Sequence, residues 1–78
     1  MQFSRTLTVH LLNLEHRYWI AHYRRGRNEQ DWRFGQHICN AYLVGGSFPE
    51  LFNCEDAEEA YSIALKVILA NKEHGVVL

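Results

Sequence analysis

Thr6-Leu7-Thr8-Val9-His10-Leu11-Leu12-Asn13-Leu14-Glu15-His16-Arg17-Tyr18-Trp19-Ile20-Ala21-His22-Tyr23-Arg24 carries the architecture of this chain. Leu7, Val9 and Leu11 alternate with Thr6, Thr8 and His10, a period of two with β-branched residues interleaved. That pattern predicts a strand from about Phe3 to Leu12. Asn13-Leu14-Glu15-His16 offers a reversal. Arg17 to Arg24 then sets Tyr18, Ile20 and His22 against Trp19, Ala21 and Tyr23. This predicts a second, antiparallel strand with one buried face and one aromatic, wet face.

Downstream, the pattern changes from two to three and four. Arg25-Gly26-Arg27-Asn28-Glu29-Gln30 has no periodicity and reads as a loop. A helix follows, with Asp31 or Asn28 as its N-cap, and runs to about Val44. It places Arg33, Gln36, His37 and Asn40 on one face, and Phe34, Ile38, Cys39 and Tyr42 on the other. Gly45-Gly46 is read as its C-cap pair. Pro49 suits a first helical turn, and Leu51-Phe52 forms a short turn that tucks into the core. Asn53 and Asp56 resemble a capping arrangement for a last helix. Ala57, Ala60, Tyr61, Ala64, Val67 and Ile68 form that helix's apolar stripe. Glu55, Asp56, Glu58 and Glu59 crowd its positive end. Gly75 would stop it, and Val76-Val77-Leu78 offers a short third strand. The predicted class is α+β: an antiparallel β-hairpin packed against two α-helices. A two-stranded sheet is marginal alone, so its open edge would accept a second copy or a target protein.

The 78 residues are read as a single α+β domain, residues 1–78. Apolar residues make up 47% of the chain and ten are aromatic, enough for a core and too many for a disordered segment. Cys39 and Cys54 form no CxxC and are read as reduced and mostly buried, which suits a reducing cytoplasm. Met1-Gln2-Phe3-Ser4-Arg5 lacks the apolar run of a signal peptide, and no stretch is apolar for long enough to span a bilayer. Net charge is −1, but residues 1–43 carry +3 and residues 44–78 carry −4. Such polarity steers partners and does not set the fold.

Few residues fit a reaction. His10, His16, His22, His37 and His74 are numerous, and His10 and His22 would face each other across the hairpin in one register. None has a metal-finger spacing, so no metal or cofactor is expected. His37 and Cys39 are two apart on a helix and point about 160° from each other, which does not make a nucleophile pair. No catalytic residue is assigned and the chain is not read as an enzyme. The acidic cluster of the last helix either caps that helix or imitates a nucleic acid's charge. The basic and aromatic run from Arg17 to Arg27 suits either an acidic protein groove or nucleic acid. The candidate partner-binding residues are Trp19, Tyr23, Arg24, Arg25, Arg27, Arg33, Gln36 and Asn40.

Arg33-Phe34-Gly35-Gln36, Asn40, Pro49-Glu50-Leu51-Phe52 and the acidic helix start near Asp56 resemble a segment of short, uncharacterised bacteriophage and prophage proteins. The shared pattern is R-x-G-Q-x-x-x-N followed by P-E-L-F, and it spans residues 32–60 here. Gly45-Gly46-Ser47 lengthens the spacer relative to that pattern. The resemblance implies a phage or mobile-element origin. It also implies stoichiometric inhibition of a host or defence protein complex, as small anti-CRISPR proteins achieve. A dimeric nucleic-acid-binding regulator is the alternative.

Overall fold

A computed structural model describes residues 2–70. The elements, in chain order, are β1 (Gln2–Phe3), α1 (Val9–His22), α2 (Phe34–Tyr42), β2 (Leu43–Gly45), α3 (Pro49–Phe52) and α4 (Ala57–Ala70). The class is mixed α and β, as expected. The expected strand at Val76-Val77-Leu78 and the expected stop at Gly75 lie outside the described residues.

Thr8 starts a helix where the alternation predicts a strand. Its backbone is extended (φ −88°, ψ 168°), and its hydroxyl oxygen accepts the Leu11 N–H at 3.1 Å. That satisfies one of the donors a helix start leaves free. The predicted hairpin of residues 3–12 and 17–24 is therefore corrected to the single helix α1. The physical reason lies in a competing stripe. Leu12, His16, Trp19 and Tyr23 recur at four, three and four residues, and Leu12 and Trp19 are fully buried. A period of two over seven residues is too short to outweigh a helical stripe that extends across twelve. His10 and His22 consequently do not face each other. Twelve residues of helix separate them by about 18 Å.

The two strands that do form are remote in sequence. β1 pairs antiparallel with β2, Gln2 opposite Gly45 and Phe3 opposite Leu43, with an irregular register between. Ser4 N–H continues the pairing to the Tyr42 carbonyl at 2.6 Å.

The loop between α1 and α2 is held by its own side chains. The Asn28 side-chain oxygen accepts from the Gln30 and Trp32 N–H groups, both at 3.0 Å. Arg27 and Arg33 form an isolated antiparallel bridge. Asp31 adopts φ 65°, a left-handed conformation that Asp tolerates better than most residues. Arg33 is the N-cap position of α2 and makes no side-chain cap bond, so neither Asp31 nor Asn28 caps that helix as expected. At the other end the chain passes from Tyr42 directly into β2. Gly45-Gly46 is thus not a helix cap: Gly45 is in the strand, and Gly46 (φ 72°) turns the chain towards α3.

The remaining helices follow the sequence reading closely. Pro49 occupies the first turn of α3, and Leu51 is fully buried. Asp56 accepts the Glu58 N–H at 3.2 Å and so caps α4, while Asn53 belongs to the end of α3. Ala60, Ala64 and Ile68 form the buried stripe of α4. The core is built around Leu7, Leu12, Phe34, Ile38, Leu51 and Ile68, with α4 packed on α1 and α2. The small side chains of Ala60 and Ala64 let α4 approach its neighbours closely. Among the described residues no helix is long and apolar enough to cross a membrane.

Candidate interaction surface

The buried stripe of α1 fixes what the helix turns outward. Leu14, Arg17, Tyr18 and Ala21 fall within about 100° of one another on the opposite side, at 100° per residue. Leu14 is 45% exposed and Tyr18 53%, and Ile20 on the flank is 51% exposed. The Tyr18 ring stacks on His22 with centroids 3.9 Å apart, and His22 Nδ1 lies 2.9 Å from the Tyr18 carbonyl oxygen. Arg24 and Arg25 follow in the turn that ends the helix, and both are exposed. The result is a band of apolar and aromatic side chains bordered by guanidinium groups.

The eight candidate residues do not gather into one site. Trp19 is 2% exposed and cannot be an outer aromatic: helical geometry turns it inward, where a strand would have offered it to solvent. Its ring meets Phe34 at 5.5 Å and His37 at 5.2 Å, and its indole N–H donates to the Gly26 carbonyl at 3.3 Å. Tyr23 is partly buried and donates its hydroxyl to the Glu29 carboxylate at 3.1 Å. Partial burial, then that carboxylate, pushes its phenol up to about 12. Arg27 donates to the Asp31 carbonyl at 2.9 Å and lies 3.9 Å from the Glu55 carboxylate, tying the loop to the start of α4. Of the basic candidates, Arg24 and Arg25 are left exposed.

The motif residues of α2 explain each other structurally. Arg33 donates to the Phe52 carbonyl at 3.0 Å, which clamps α3 against the start of α2. A β-carbon on Gly35 would lie 2.1 Å from the Leu51 carbonyl oxygen, so only glycine lets the two segments meet. Arg33 and Gly35 thus serve to seat Leu51 and Phe52. Gln36 is half-buried, and Asn40 is exposed. Asn40 lines a cleft of about 330 Å³ walled by Leu43, Phe48, Pro49 and Phe52, with Ser47 and Asn53 as further polar groups.

His37 leaves the expected polar face to join a buried-side cluster. Its Nε2 lies 3.3 Å from the Glu15 carboxylate, and the Tyr42 hydroxyl donates to the same oxygen at 2.6 Å. The cluster fastens α1 to α2, as the hydrogen bond from the Tyr61 hydroxyl to the Asn13 side chain fastens α4 to α1. Burial, followed by the hydrogen bond and charge of Glu15, pushes the Tyr42 phenol up to about 12. Burial alone pushes the Cys39 thiol up to about 11. A reactive cysteine needs the opposite shift. At pH 8, Cys39 should hold about 100-fold less thiolate than a free cysteine. Iodoacetamide labelling followed by mass spectrometry should therefore modify the more exposed Cys54 first, and Cys39 only on unfolding. Equal labelling rates would show that the Cys39 site is open. Both raised groups favour the protonated fold, so stability should be complete below about pH 9 and fall as pH rises through 11 and 12.

Among the described residues no group of three His, Cys, Asp or Glu side chains is placed to hold a metal ion. Sequence reasoning missed Leu14, Tyr18 and Ile20 as surface candidates. The signal present was the spacing of Leu14, Tyr18 and Ala21, readable only once the segment is taken as a helix. Comparison of the chain with protein-family models, with curated proteins and with solved structures returns no match.

Proposed function

We propose that this chain is a non-catalytic binding protein that occupies a host or defence protein complex stoichiometrically, in the manner of small phage inhibitors. The observation that carries this reading is the outer face of α1. Leu14 and Tyr18 are each about half exposed and lie one turn apart on that face, with exposed Arg17 and Ala21 beside them and exposed Arg24 and Arg25 in the turn that follows. Adjoining apolar side chains exposed on a small domain mark interaction sites more often than isolated ones do. Tyr and Arg are also among the residue types enriched at protein interfaces.

The test is a tagged pull-down from host lysate, with and without nuclease, using the wild-type chain and the Leu14→Ser/Tyr18→Ala variant. Both substitutions are at exposed positions, so the variant should keep its melting temperature within a few degrees. The expected result is a nuclease-resistant, one-to-one complex that the variant binds about 30-fold more weakly, as loss of a hot-spot contact of about 2 kcal/mol requires. Full retention by a folded variant would move the interface off α1. Material released by nuclease would support the second reading, nucleic-acid binding, which the exposed Tyr18–His22 stack beside arginines favours.

A further inference from the structure

We infer that the outer face of α1 is matched to an acidic amphipathic segment of a partner protein. Carboxylates would pair with Arg17, Arg24 and Arg25, and apolar side chains would cover Leu14, Tyr18 and Ala21. This rests on the proposed reading of α1 as the docking face and adds the chemistry of what docks there. Apart from exposed Arg5, which precedes α1, the chain's arginines divide into two groups. Arg27 lies against Asp31 and Glu55, and Arg33 holds the Phe52 carbonyl. Arg17, Arg24 and Arg25 are exposed and make no ion pair among the described residues. The acid of α1 itself, Glu15, is turned inward to His37 and Tyr42. Glu29 borders the far end, where the Tyr23 hydroxyl holds it. The face thus has an apolar centre with one arginine beside it and two at its C-terminal end, and complementary charge would both steer a partner and fix its register.

A polyanionic strand fits less well. Half-exposed Leu14 and exposed Ala21 offer nothing to phosphates. The Arg27–Glu55 contact also shows that the loop after α1 adjoins the acidic start of α4, with Glu58 and Glu59 in its first turn. A long nucleic-acid strand running past the loop would meet those carboxylates, whereas a short segment seated along α1 ends before them.

The experiment uses the full chain and three labelled probes, read by fluorescence anisotropy. The probes are a helical peptide of about 18 residues with Leu on one face and Glu on the other, its Lys-for-Glu counterpart, and an oligo-dT strand. The expected result is binding of the Glu peptide that weakens at least tenfold between about 0.05 and about 0.5 M salt. Replacing Arg17, Arg24 and Arg25 together by Glu should weaken it by a similar factor. The triple Gln variant serves if the Glu variant does not fold. Equal binding of the Lys peptide would overturn the inference and leave α1 standing as a docking face. Binding of oligo-dT alone would overturn both. Failure of every probe to bind would overturn the inference, with the pull-down still deciding the reading beneath it.

Discussion

Replacing Gly35 by alanine is expected to lower the melting temperature by about 12 to 24 °C, the shift that about 3 kcal/mol produces in a domain of this size. The direction runs against helix propensity, by which Ala is better than Gly by about 1 kcal/mol. Position decides the sign. Gly35 is buried in the first turn of α2, and the new methyl group would lie 2.1 Å from the Leu51 carbonyl oxygen and 3.1 Å from its carbon. Both are backbone atoms, so no rotamer change relieves the overlap. α2 and α3 would have to separate, which would break the Arg33–Phe52 hydrogen bond and lift fully buried Leu51 out of its place. Thermal unfolding followed by circular dichroism measures the effect. A melting temperature unchanged or raised would mean that α3 is not seated on Gly35.

The second large effect is expected at Trp19. Trp19→Ala should cost about 3 to 5 kcal/mol, the range for deleting a fully buried aromatic side chain. The loss combines ring contacts to Phe34, His37 and Tyr23 with the hydrogen bond to the Gly26 carbonyl, so the loop after α1 should loosen as well. Trp19→Phe separates the two contributions. It keeps a ring in place, and the lost hydrogen bond alone is worth about 1 kcal/mol. Leu14→Ser, on the opposite side of the same helix, should change stability by no more than about 0.5 kcal/mol. Urea unfolding of the three variants tests the orientation of α1. If Trp19→Ala proved as mild as Leu14→Ser, Trp19 would face solvent and the helix would be wrongly turned.

The contrast between Trp19 and Leu14 shows where sequence reading stopped. α2, α3 and α4 were legible because each carries local signals that agree. Phe34 and Ile38 repeat at helical spacing, Pro49 marks a first turn, and Asp56 precedes an unbroken stripe ending in Ile68. In α1 the local signals conflict. Its inward stripe includes Glu15 and His16, its outward face includes Leu14 and Tyr18, and Ile20 is exposed on the flank, so burial and polarity do not match residue by residue. The polar inward residues are tolerated because distant groups receive them. Glu15 meets His37 and Tyr42, and His16 stacks on Tyr61 at 4.6 Å. None of those partners is local, so within the sequence alone the short alternation of Thr and Leu stands out more than the helical pattern that the fold selects.

By itself the sequence determined the last three helices, most of their buried residues, and a charge split between the two halves. Those features follow from side chains within a few residues of one another, whose periodicity and capping chemistry need no partner. Tertiary structure decided the rest. It made a helix of residues 9–22, paired β1 with β2 across some forty residues, buried Trp19, and engaged Arg27 and Arg33 within the fold while leaving Arg17, Arg24 and Arg25 exposed. Each of these outcomes depends on contacts between distant segments, whose free energy a local pattern does not contain.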